Sequence, residues 1–188
     1  MNKKIAERFS DGIRMIMLCQ RNKEGRPTNK TDRASYRRIS RNSEEFFKIL
    51  KEFQIMKEES SEPLRIYSCV NKRDINKAIR NFKEEQLAAD YFDEEHKYGF
   101  YFDIKNRWLS SLMKQNCRTE TQFLIDIDEP KLYSLDTVKN HLKEIGAEII
   151  ESYETKNGYH VITKAFNPNL FNSEFGEIKK DALLLLDY

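Results

Sequence analysis

Glycine is scarce in this chain of 188 residues: there are six, at positions 12, 25, 99, 146, 158 and 176. No two are close enough to form a P-loop, a G-x-G-x-x-G dinucleotide turn or a G-x-S-x-G nucleophile elbow. Cysteine is scarcer. Cys19, Cys69 and Cys117 are odd in number and widely spaced, which excludes a disulfide framework and a C-x-x-C zinc pair. Long apolar runs are missing too. No stretch approaches the ~18 residues of a membrane span, and no apolar signal core follows Met1. The sequence therefore reads as cytoplasmic, in a reducing compartment, with no membrane partner.

Charge and aromatics are plentiful. Charged residues make up 34% of the chain, against roughly 25% in an average domain. Twelve Phe and nine Tyr argue for a packed core rather than disorder. The net charge of +2 is unevenly spread. Residues 1–43 carry 12 basic and 4 acidic groups, whereas residues 44–188 carry 21 and 27. The basic end is densest at Arg33, Arg37, Arg38 and Arg41, with Tyr36 among them. Such a segment can track a phosphate backbone, or serve as a solvated loop and helix start.

Apolar spacing predicts one helix over 4–18, through Ile5, Phe9, Ile13 and Ile16, then a basic, turn-rich connection to about residue 42. Ser43 reads as the N-cap of a helix burying Phe46, Ile49, Leu50 and Phe53 and ending near Lys57. A strand is expected over 64–70. Asp74 caps a helix with Ile75, Ala78, Ile79 and Phe82 as its buried stripe, a strand follows over 98–104, and the segment around Trp108 and Leu112 is helical. Next come a strand over 123–128, a helix capped by Ser134 that ends at Gly146, and a strand over 147–153. A turn over 155–158, a returning strand over 159–164 and a last apolar run over 178–187 complete the chain. The order resembles half a ferredoxin-like sheet. The expectation is one α+β domain, with a basic helical N-terminal part over 1–62 and an α+β core over 63–188.

Three elements bear on chemistry. Asp126 and Asp128 alternate with Ile125 and Ile127, so both carboxylates leave one face of a strand, roughly 7 Å apart between Cα atoms. Carboxylates so close suit a divalent cation between them; otherwise the strand simply runs out into an acidic turn. In Thr155-Lys156-Asn157-Gly158-Tyr159-His160, a tight turn bearing Lys156 precedes a strand histidine able to donate to phosphate, or one that is merely packed. Asp181 opens the last apolar run and Asp187 ends it. Either completes a metal site if its strand lies beside that of Asp126, Asp181 being favoured because chain ends fray.

The succession Ile125-Asp126-Ile127-Asp128, Asn157-Gly158-Tyr159-His160 and a late Asp resembles the catalytic core of the archaeo-eukaryotic primase superfamily. The likeness covers roughly residues 64–187. The third motif departs from pattern, since Lys180 rather than an apolar residue precedes Asp181.

The resemblance implies an RRM-like mixed or antiparallel sheet and a nucleotidyltransferase of primase or polymerase type. Mg²⁺ or Mn²⁺ would be held by Asp126, Asp128 and Asp181, with Asp187 as the alternative. His160, Lys156, Asn157 and Gly158 would hold the phosphates of a nucleoside triphosphate. Template contacts fall to Arg33, Arg37, Arg38 and Arg41, with Arg73 and Arg107 as weaker candidates that also suit helix capping or surface salt bridges. Implied partners are a single-stranded DNA or RNA template and a helicase or other replication protein. So small a core suits a virus or mobile element. Two other classes compete. One is a non-catalytic RRM-like module stacking bases on Tyr98, Phe100 and Phe102. The other is a metal-dependent phosphodiesterase using the same carboxylates.

Overall fold

The apolar run from Ile5 to Ile16, expected as one helix, breaks in two. In the computed structural model, which describes residues 3–20, 35–92, 94–128, 133–155 and 158–187, Lys3–Arg8 form helix α1 and Arg14–Gln20 form strand β1. Gly12 lies between them at φ +69, a left-handed conformation that ends a helix. Beyond it Ile16 and Leu18 alternate into the core with the period of a strand. The basic connection also contains more order than expected. Ser35–Ser40 form β2, paired antiparallel with β1.

Helix α2 (Ser43–Glu58) buries Phe46, Ile49, Leu50 and Phe53, as their spacing requires. Its N-cap is Asn42 rather than Ser43, the Asn42 side chain accepting from the Glu45 N–H at 2.9 Å. Strand β3 (Leu64–Cys69) follows. Asp74 then caps α3 (Ile75–Tyr91), accepting from the N–H groups of Asn76 and Lys77. On α3, Ala78 and Asn81 are buried while Ile79 is exposed.

Residues 98–104, expected as a strand, fall in helices α4 (Glu94–Phe102) and α5 (Ile104–Met113) and the turn at Asp103 between them. The alternating aromatics imitate a strand, but only Phe100 is buried, against Phe82 of α3 at 5.5 Å. Tyr98 and Phe102 are exposed. They are therefore not a stacking row on a sheet, and that basis for an RRM-like binding module is lost.

The C-terminal part matches expectation more closely. Strand β4 (Gln122–Ile127) is followed by α6 (Leu135–Glu144), capped by Ser134 onto the Thr137 N–H. Strands β5 (Ile149–Glu154) and β6 (Tyr159–Lys164) then form a hairpin. The last apolar run divides into β7 (Glu177–Lys179) and β8 (Leu183–Asp187), which join different sheets. One sheet has the order β2-β1-β3-β8 and the other β5-β6-β4-β7. The fold is α+β with two four-stranded antiparallel sheets. No described helix is long and apolar enough to cross a membrane.

The chain separates into two compact units. The first comprises Met1–Ser68, Lys72–Thr119 and Leu185–Tyr188, and the second Cys69–Asn71 and Glu120–Leu184. In the second unit, Ile125, Ile127 and Val161 point to one face of the sheet and pack with Val138 and Leu142 of α6, Ala147 and Phe171. Strand alternation then obliges Asp126 and His160 to leave by the other face.

Candidate functional site

On that other face, a row of side chains crosses all four strands of the second sheet. Tyr153 on β5 is paired with His160 on β6, His160 with Asp126 on β4, and Asp126 with Glu177 on β7. Directly opposed residues of antiparallel strands hold their Cβ atoms about 4.5–5.5 Å apart, close enough for polar side chains to meet. They do meet. His160 Nε2 lies 3.0 Å from Asp126 Oδ1, and His160 Nδ1 lies 2.8 Å from the Tyr153 hydroxyl. Lys179, two positions further along β7 on the same face, places its ammonium on Asp126 Oδ2 and stands 3.6 Å from Glu177.

These contacts determine charge. Asp126 is partly buried, its side chain 16% exposed. The hydrogen bond from His160, joined by that from Lys179, outweighs desolvation and holds its carboxyl at about 2. Burial by itself would lower the Lys179 pKa, but the Asp126 carboxylate raises it. Tyr153 moves upward, through burial first and the Asp126 charge second, so its phenol stays protonated. An ionised Asp126 can only accept, which fixes a proton on His160 Nε2. In the neutral ring, Tyr153 then donates to Nδ1. The result is a chain of hydroxyl, imidazole, carboxylate and ammonium.

Two glycines let the backbone close around this row. A Cβ on Gly158 would stand 1.8 Å from the Ile127 carbonyl oxygen. At Gly176, φ +152, it would stand 2.4 Å from the Asp126 carbonyl oxygen. The start of β6 and the approach to β7 thus both press on β4 where the aspartates lie. Asp128, just past β4, is exposed.

The expected site residues are brought together in part. Asp126, Asp128, Gly158 and His160 converge, while Lys156 and Asn157 lie outside the described residues. Asp181 does not join them. Its carboxylate accepts from Asn71 Nδ2 at 3.3 Å, and the same Nδ2 lies 3.3 Å from the Gln122 carbonyl oxygen. That is the far end of β4, four residues or about 13 Å from Asp126. The alternative, Asp187, belongs to the first unit and pairs with Lys57 at 2.9 Å. The pairing register fixes this outcome: with Lys179 opposite Leu124, it is Glu177 and not Asp181 that faces Asp126.

Of the basic candidates, Arg37 and Arg38 are exposed on β2, and Arg33 lies outside the described residues. Arg41 is engaged with Glu45. Arg73 is not available to a template. It is 2% exposed, with Nη1 directed at the carbonyls of Met113 and Lys114. Arg107, half exposed on α5, stands 3.9 Å from Asp103.

Tyr153, Glu177 and Lys179 were not foreseen. Tyr153 precedes the turn by as many positions as His160 follows it, and a symmetric hairpin register would have paired them. Glu177 and Lys179 required the register of β7, which has no turn linking it to β4.

The donor set fits a hard divalent cation by its chemistry. Asp126, Asp128 and Glu177 offer carboxylate oxygens and no thiolate, and the Lys179 ammonium already marks where positive charge settles. As placed, no three or more His, Cys, Asp or Glu side chains among the described residues form a ready-made metal cluster. Comparison of the chain with family models, curated proteins and solved structures found no match.

Proposed function

We propose that this protein is a metal-dependent nucleotidyltransferase of primase-polymerase type, adding nucleotides from NTP or dNTP on a nucleic-acid template. The observation that carries the reading is the direct cross-strand pairing of Asp126 with His160, beside Asp128 and under the Gly158 turn. Phosphoryl transfer is achieved almost wholly by positioning and charge. It needs anionic oxygens for a metal next to donors for phosphate. The row supplies both within one sheet face.

Asp126 and Asp128 would hold Mg²⁺ or Mn²⁺, with Glu177 in the place expected of Asp181. When bound, the cation neutralises the triphosphate and favours ionisation of the attacking hydroxyl. The chain's own groups do the rest. Asp126 is kept ionised by His160 and Lys179, so no proton has to leave it at neutral pH. Tyr153 orients His160 through Nδ1, and the Nε2 proton that His160 gives to Asp126 would be free to donate to a phosphate oxygen once that carboxylate turned to a cation. Lys179 is 38% exposed and can turn from Asp126 to the triphosphate.

Calorimetry of triphosphate binding tests the assignment of His160. His160→Ala is expected to weaken nucleotide binding while Mn²⁺ binding persists. Unchanged triphosphate affinity would overturn the role given to His160.

A further inference from the structure

Within the first unit, a cleft of about 560 Å³ opens between β2, α2 and α5. That volume lies in the range of ligand pockets, roughly 300–1,000 Å³. Its floor is apolar, built on Phe53 of α2 and Leu109 of α5, both buried. Its rim carries Tyr36 and Arg38 from β2 and Lys105 from α5, while Arg37, between them on the strand, turns its charge to the other face, toward Cys19. Among the described residues, two cations face the cleft and no acid lines it.

These cations are poorly neutralised. Arg38 reaches Glu52 only at 3.9 Å, between two exposed side chains. A pair of that kind contributes little in water. Lys105 makes no ion pair among the described residues. Like charges gathered around an apolar floor repel one another unless an anion joins them. Tyr36, 48% exposed at the mouth, adds a flat aromatic face that no described ring covers.

We infer that this cleft seats a nucleotide unit of single-stranded nucleic acid, with a base against Tyr36 and the apolar floor and adjoining phosphates on Arg38 and Lys105. The combination suits such a strand because every base offers a stacking face and every linkage a negative charge. An acidic peptide would use the cations but would waste the aromatic face and the floor. The inference stands apart from the catalytic reading. Tyr36, Arg38 and Lys105 grip a strand whether or not Asp126 and Asp128 support transfer.

The test is fluorescence anisotropy of a labelled oligo-dT with the full chain across a salt series. Arg38→Ala/Lys105→Ala should make the slope of log K against log salt shallower by about 1.4, the share of two single-strand phosphates. Tyr36→Leu should weaken binding by about 5- to 150-fold with the slope unchanged. Asp126→Ala/Asp128→Ala should bind the strand as the unaltered protein does, which separates this inference from the proposed activity. All substituted positions are exposed or partly so, and thermal unfolding confirms that each variant folds. Equal affinity and slope in the cleft variants would overturn the inference. So would displacement of the oligonucleotide by polyglutamate or by free dTMP at matching concentration, which would make the cleft an acidic-peptide or free-nucleotide site.

Discussion

Asp126 Oδ1 and His160 Nε2 stand 3.0 Å apart at directly opposed positions of two antiparallel strands. The sheet itself therefore holds the carboxylate and the imidazole together, and neither depends on a loop for its placement. The tight contact at Gly158 keeps the strand carrying the histidine pressed against the end of the strand carrying the aspartates.

Acid should reveal this pair. The Asp126 pKa is about 2 in the folded state against 3.8 ordinarily, so the unfolded chain takes up its proton first as pH falls. The associated stability is complete above about pH 4 and is lost as pH drops toward 2. Allowing for solvent screening, it amounts to about 1–2 kcal/mol. Denaturant titrations between pH 2 and 6 should show this component in the unaltered protein and not in Asp126→Asn. An identical pH profile in both would contradict the pairing.

Gly158→Ala should destabilise the protein by about 1–3 kcal/mol, the usual cost of overpacking. The added methyl meets the Ile127 carbonyl oxygen, which is backbone and cannot swing aside. The same substitution at Gly99, where a Cβ meets nothing within 4 Å, is the control and should be neutral or mildly stabilising. Chemical denaturation of the two variants measures the difference.

Tyr153→Phe keeps the ring that packs edge-on against His160 at 5.1 Å and removes only the hydroxyl. His160 Nδ1 then loses its partner in a half-buried place, at a cost of about 1–3 kcal/mol. Nitrogen chemical shifts of His160 should change, because among the described residues only the Tyr153 hydroxyl hydrogen-bonds its Nδ1. A spectrum identical to that of the unaltered protein would show that Tyr153 does not set the imidazole.

Lys179→Met leaves Asp126 ionised without its ammonium. Mn²⁺ should bind this variant several-fold more tightly, since the internal competing charge is gone. Paramagnetic quenching or electron spin resonance measures the affinity. Weaker Mn²⁺ binding would mean that Lys179 supports the metal site rather than competing for it.

How far the sequence revealed this arrangement depended on the range of the forces involved. Caps and hairpins are local, so Asp74, Ser134 and the turn before His160 were legible from neighbours alone. Asn42 was missed by one position because Ser43 caps equally well in principle. The single helix expected over 4–18 failed because Ile5, Phe9, Ile13 and Ile16 keep a helical spacing across Gly12, whose left-handed φ separates the helix from a strand that buries Ile16 and Leu18. Residues 98–104 failed in the opposite direction. Their alternating aromatics suit a strand, yet tertiary packing of Phe100 on Phe82 decided for a helix. At the site, Asp126, Asp128 and His160 stood out because a strand and a hairpin fix them. The expected third acid depended on how a distant strand registers on β4, which no local pattern encodes, and the register brought Glu177 there instead of Asp181.

The most direct measurement is nucleotide incorporation on single-stranded DNA with Mn²⁺, comparing the unaltered protein with Asp126→Ala/Asp128→Ala. Product that forms only with both carboxylates intact is the expected result, and its appearance without a supplied primer would mark a primase. Product formed equally by the double variant, or no product from a folded protein that also fails to bind triphosphate, would contradict the assignment.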